Sequence, residues 1–118
     1  MFQKIAYTCY PVRDMARAVD FYRDVLGLKP LFTGDEWSEF EIGGQRLALR
    51  KMASPASTVA AVSLEATPIE HAVEKLKSRG VRIARDVQVF PYGKLASFLD
   101  SEGNLVGLYE PPAKPSNR

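Results

Sequence analysis

The chain has 118 residues, enough for one domain with a real core and too few for two of ordinary size. Its 16 Lys and Arg against 14 Asp and Glu leave a formal charge of +2 with no basic run, which argues against a nucleic-acid partner. No apolar stretch approaches the ~18 residues of a membrane span, and one His and one Cys cannot build a His-rich or Cys-rich metal site.

The opening MFQKIAYTCY lacks the apolar core of a signal peptide, and a lone cysteine cannot form an internal disulfide. Both point to a cytoplasmic protein without membrane association. KIAYTC reads as a first strand. Asp14 can then cap a helix running to about Leu26, because Met15, Val19, Tyr22 and Leu26 form one apolar stripe. Gly27 can take the left-handed conformation that ends a helix, and Pro30 blocks continuation. Three strands follow, LFTG, EWSEFEIGG and QRLALRK.

MASPAST, residues 52–58, reads as a linker. After it TVAAVSLEA predicts a strand, and Thr67 with Glu70 forms a capping box for a helix from Pro68 to about Arg79. Ile69, Val73 and Leu76 make its buried stripe, which leaves His71 on the wet side. VRIARDVQVF, KLASFLD and NLVGLYE complete a second set of strands, and PPAKPSNR reads as a tail. The chain is thus an α+β protein of two tandem β-α-β-β-β modules, at about 3–52 and 58–110. Together they make a single domain over 1–112, with a disordered tail over 113–118. Local matches such as Gly44-Gln45-Arg46-Leu47-Ala48-Leu49 against Gly103-Asn104-Leu105-Val106-Gly107-Leu108 support a duplicated unit.

The helix motif MARAVDFYRDVLGLK and the turn motif FLDSEGNLVGLYE, set in such a repeat, resemble the vicinal oxygen chelate superfamily. That group includes glyoxalase I, extradiol dioxygenases, and fosfomycin- and bleomycin-resistance proteins. The resemblance implies a curved mixed sheet whose strands form a cleft, commonly completed across a homodimer. In metal-dependent members four strand positions hold the ligands. Aligned on the two motifs, these positions fall on Tyr7, Ala48, Val59 and Gly107, so the resemblance carries no metal set and no cofactor to this chain.

Strand parity gives the cleft wall independently. With Gly43-Gly44 as a two-residue turn, Trp37, Glu39, Glu41, Arg46, Ala48 and Arg50 share one face. Glu41 and Arg46 are expected to form a cross-strand ion pair, and Trp37 to lie over Arg50. With Asp100–Gly103 as the second turn, Lys94, Ala96, Phe98, Leu105, Gly107 and Tyr109 share the companion face. Val59, Ala61 and Ser63 join it from the fifth strand, and Tyr7 and Cys9 from the first. Tyr7 reads equally as a core phenol or as a ligand contact; Cys9 reads as a small hydrophobe, and Phe98 as core-forming even on that face.

The ligand-binding candidates are therefore Tyr7, Cys9, Trp37, Glu39, Ala48, Arg50, Val59, Ala61, Phe98, Gly107 and Tyr109. They suggest a metal-independent protein that binds a small, aromatic or weakly anionic molecule in a dimer cleft. Two alternatives stay open. One is a lyase, isomerase or dioxygenase-like enzyme with Glu39 as base and Tyr7 as acid. The other is a dimeric interaction module whose cleft is filled by its own side chains.

Overall fold

The first module begins with β1 (Thr8–Val12), a short strand that starts later than KIAYTC suggests and includes Pro11. A proline is tolerated there because β1 pairs on one side only, lying parallel to β4 at the end of its sheet. The structure, a computed structural model, describes residues 1, 3 and 5–113. Lys4 of the expected first strand and residues 114–118 of the expected tail lie outside the described residues.

Asp14 caps α1 (Met15–Asp20) as expected, its carboxylate accepting the Arg17 N–H at 3.0 Å. The helix then widens into a π turn (Phe21–Val25), where the Leu26 N–H reaches back to the Phe21 carbonyl. Met15, Ala18, Val19 and Tyr22 are buried along this segment. Strands β2 (Lys29–Thr33), β3 (Trp37–Ile42) and β4 (Gln45–Lys51) complete a four-stranded sheet in the order β1-β4-β3-β2. Both glycines of the Gly43-Gly44 turn have positive φ, 57° and 78°, as a two-residue hairpin of this hand requires.

The second module repeats the plan. Strand β5 is only Ser63–Glu65, then come α2 (Ile69–Ser78), β6 (Ile83–Phe90), β7 (Gly93–Leu99) and β8 (Leu105–Glu110). The sheet order is β5-β8-β7-β6. The expected capping box does not form. Glu110 accepts the Ile69 N–H at 2.8 Å, and Glu70 instead pairs with Lys94 at 2.7 Å. A carboxylate from the end of the module's own last strand thereby satisfies the open helix terminus.

Each helix covers one face of its sheet. Tyr10, Val12, Phe40, Leu47 and Leu49 lie under α1, Phe98, Val106 and Leu108 under α2, and all join one continuous core. The opposite faces of the two sheets are left for other work. His71 is exposed, as its place off the apolar stripe predicts. No helix among the described residues is long and apolar enough to cross a membrane.

The modules are tied together by polar side chains. Asp100, 6% exposed, accepts the Glu102 and Asn104 N–H groups at 2.8 Å each through one oxygen. Its other oxygen takes the Tyr22 hydroxyl at 2.8 Å and the Asn104 side-chain amide at 2.9 Å. Asn104 also donates to the Pro11 carbonyl and accepts the Ser57 N–H. Tyr10 adds a bridge, donating to the Leu105 carbonyl at 2.8 Å and accepting the Val62 N–H at 3.0 Å. Glu102 lies against the start of α1, taking the N–H groups of Arg13 and Asp14 and the Arg17 guanidinium at 2.6 Å. Desolvation alone would raise the Glu102 pKa, but these donors outweigh it and hold the carboxyl below its ordinary value.

Candidate functional site

The open face of the first sheet follows from strand periodicity and the tight turn. Trp37 pairs with Arg50, Glu39 with Ala48, and Glu41 with Arg46, the register expected from the sequence. Parallel β1 sets Cys9 beside Ala48. Side chains two apart on β3 fall on one face, so the Trp37 indole N–H can reach Glu39, donating to it at 2.7 Å. Arg46 reaches the other oxygen of Glu39 at 3.4 Å, so the expected Glu41–Arg46 ion pair is replaced by a diagonal one. The aromatic partner of Trp37 is Tyr7, whose ring stands edge-on at 5.1 Å between centroids. Tyr7, 49% exposed, is therefore a surface ring rather than a core phenol.

Sequence reasoning missed Phe32. A bulge between Pro30 and Phe32 shifts the β2 register, so Phe32 rather than Leu31 pairs with Glu39. That puts a 57% exposed ring on the face of Trp37 and Glu39. The one available signal was Pro30 inside an edge strand, since proline there favours irregular pairing. Arg50 is exposed and makes no ion pair among the described residues. Cys9 is half-buried. Desolvation raises its thiol pKa and nearby Arg50 only partly offsets this, so the thiol stays protonated at neutral pH and is a poor nucleophile.

On the second sheet the expected parity is wrong by one residue. Leu99 pairs with Leu105, Ser97 with Gly107 and Leu95 with Tyr109. Leu95 and Ser97 therefore share the open face with Gly107 and Tyr109, whereas Ala96 and Phe98 turn toward α2. Phe98 is fully buried and has no place in the site. The cause is the turn. Asp100 and Asn104 close it on each other, Asp100 N–H bonding the Asn104 carbonyl at 2.9 Å, so the loop takes in Asn104 as well. Val59 is misplaced: β5 starts only at Ser63, and Val59 is 70% exposed in the irregular segment before it, which Ala61 shares. Ser63 does pair with Gly107, and any Cβ at Gly107 would run into the Ser63 hydroxyl.

Between the modules, where β1 and β5 each leave one edge unpaired, lies a half-open groove of about 560 Å³. Tyr7, Ala61 and Tyr109 of the predicted set line it, and Thr8, Gln45, Arg46, Ser63 and Glu65 add polar groups. Of the remaining first-module candidates, Cys9, Trp37, Glu39 and Arg50 spread over the open sheet face, whereas Ala48, on the same face, is fully buried and offers a ligand no surface. Tyr7 and Arg46 belong to both, so groove and face are continuous. Of the positions that the family resemblance assigns to metal ligands, Tyr7, Ala48 and Gly107 carry a phenol, a methyl and a hydrogen, and Val59 lies outside β5. Among the described residues no three His, Cys, Asp or Glu side chains come together as a metal site would need. This donor set does not fit a zinc, nickel, manganese or iron centre.

A paired-module fold with helices on one side and an open, curved face on the other defines a family. Residues 4–108 match the model of the Glyoxalase/Bleomycin resistance protein/Dioxygenase superfamily, and the chain belongs to it. Among characterised sequences it is similar to the metallothiol transferase FosB of Shouchella clausii, 31% identical over 118 aligned residues that span 92% of this chain and 81% of the relative. Among solved structures it resembles TnmS3, an antibiotic binding protein from Streptomyces sp. CB03234. The TM-score is 0.78 at 24% identity, with 94% of this chain and 98% of that one covered. It also resembles lactoylglutathione lyase from Agrobacterium tumefaciens, with a TM-score of 0.77 at 19% identity, covering 92% and 94%. At these identities the structural likeness establishes the fold and leaves the chemistry to the residues on the open face.

Proposed function

We propose that this chain is a metal-independent binding protein of the superfamily, taking an aromatic, weakly anionic small molecule on the open face of its first sheet. The observation that carries this reading is the composition of that face. Among the described residues, Tyr7, Trp37 and Phe32 offer ring surfaces beside half-buried Cys9, Arg50 is a cation without an ion-pair partner, and no three metal donors converge. Mostly apolar walls with a few polar groups suit an organic guest. The face is open on one side, and a second copy of the chain is the proposed cover, since Tyr7, Leu31, Phe32 and Met52 are exposed apolar groups on the first module.

The test uses 4-nitrobenzoate, an aromatic monoanion that quenches indole fluorescence, against its neutral amide. The chain has a single tryptophan, so the signal reports this face alone. Saturable quenching by the acid and weaker quenching by the amide is the expected result. Arg50→Ala removes a charge-assisted hydrogen bond of about 1.5–3 kcal/mol, and so weakens binding roughly ten- to a hundred-fold with the fold intact. If Arg50→Ala in the quenching titration and Trp37→Phe in isothermal calorimetry, which needs no fluorophore, both leave affinity unchanged, the site is elsewhere. Elemental analysis finding one transition metal per chain would overturn the metal-independent reading.

The likeness to a metallothiol transferase favours a second reading, an enzyme in which Glu39 and Tyr7 transfer protons. Turnover abolished by Glu39→Gln, with binding kept, would establish it over simple binding.

A further inference from the structure

We propose that Glu39 is a positioning residue that locks the Trp37 indole, leaving Trp37 to recognise its ligand through ring surface alone. This deepens the binding reading given above and rests on it. The Glu39 side chain is only 20% exposed, and both of its oxygens are engaged. One accepts the indole N–H at 2.7 Å, the other the Arg46 guanidinium at 3.4 Å. Tyr7 then stands against the same indole, its ring at 84° to it and 5.1 Å away. A bicyclic ring held at its N–H and flanked by an edge-on phenol has little rotational freedom.

Two consequences follow for chemistry at this face. The indole N–H, the one hydrogen-bond donor of tryptophan, is already used, so a bound ring meets Trp37 only by stacking or edge contact. Selection among ligands then falls on ring size on one side and on Arg50 on the other, and not on an acceptor aimed at Trp37. Glu39 takes one donor on each oxygen and so keeps acceptor capacity on both; the indole bond makes it the anchor of the recognition ring without removing it as a proton acceptor.

The lone tryptophan makes the test direct. In ¹H–¹⁵N spectra of the full chain one indole cross-peak is present, expected downfield and slow to exchange with water in the unaltered protein. Glu39→Ala should move it upfield and speed its exchange. Glu39→Gln, whose amide oxygen can accept the same N–H, should restore position and slow exchange. Freeing one side chain that binding must immobilise again should weaken 4-nitrobenzoate roughly two- to ten-fold in Glu39→Ala, with recovery in Glu39→Gln. An indole resonance and exchange rate unaffected by Glu39→Ala would overturn the proposal. So would a displaced resonance with unaltered 4-nitrobenzoate affinity. Absence of 4-nitrobenzoate binding to the unaltered protein would instead sink the binding reading, while the resonance alone still decides for or against the lock on Trp37.

Discussion

Replacing Tyr22 by Phe tests the tie between the modules with a single atom. The ring keeps its shape and its packing on Phe40, whose centroid lies 5.9 Å away, so no cavity opens. What is lost is one of four hydrogen bonds to Asp100, the only one of them donated from the first module. Burial, reinforced by Asp100, holds the Tyr22 pKa well above its ordinary value, so the hydroxyl is a protonated donor at neutral pH. A bond to a buried carboxylate contributes about 1.5–3 kcal/mol, a large share of the ~5–15 kcal/mol typical of a domain. At roughly 4 °C per kcal/mol for a chain of this size, Tyr22→Phe should lower Tm by about 6–12 °C. Urea titration should show a lower midpoint with an unchanged slope. Asp100→Ala strands all four donors and should be worse than Tyr22→Phe. A Tm within about 2 °C of the unaltered protein for Tyr22→Phe would refute the reasoning, because it would mean the tie contributes no stability.

Glu102 gives a pH prediction whose sign follows from its depressed pKa. Its contribution is full above the ordinary value of 4.5 and is lost as pH falls through the lower folded-state value, so the Tm gap between the unaltered protein and Glu102→Gln should close in acid. Gly107→Ala should cost about 1–3 kcal/mol by overpacking against Ser63, and Ser63→Ala in the same chain should recover part of it in urea midpoints. Light scattering at micromolar concentration should give a homodimer; a particle of 13.1 kDa would contradict the second copy as cover.

The sequence was most legible where local chemistry decides the outcome. Asp14 as cap and Gly43-Gly44 as turn each follow from one residue's conformational needs, and with the turn came the register of Trp37, Glu39, Ala48 and Arg50. It was least legible where a distant side chain decides. Asp100 and Asn104 close on each other and on Tyr22, lengthening a turn and reversing the parity of Phe98. Glu110 displaces a capping box that the sequence spells out locally, and the β2 bulge brings Phe32 to the site. Period-two reasoning cannot anticipate a change of one residue, because such a change swaps the two faces completely.

The helix bearing Tyr22 and the turn bearing Asp100 and Asn104 meet in the tie between modules, and of the two family motifs only the end of the second, Gly107 and Tyr109, reaches the open side. Recognition and the first sheet's chemistry are therefore written in separate parts of the chain. Substitutions at Trp37, Ala48 or Arg50 leave the residues of the tie untouched, so a fold of this kind can change its guest, or give up a metal, while its signature stays whole. Kinship read from those motifs certifies the frame. The trade practised on that frame has to be read from the other side of the sheet.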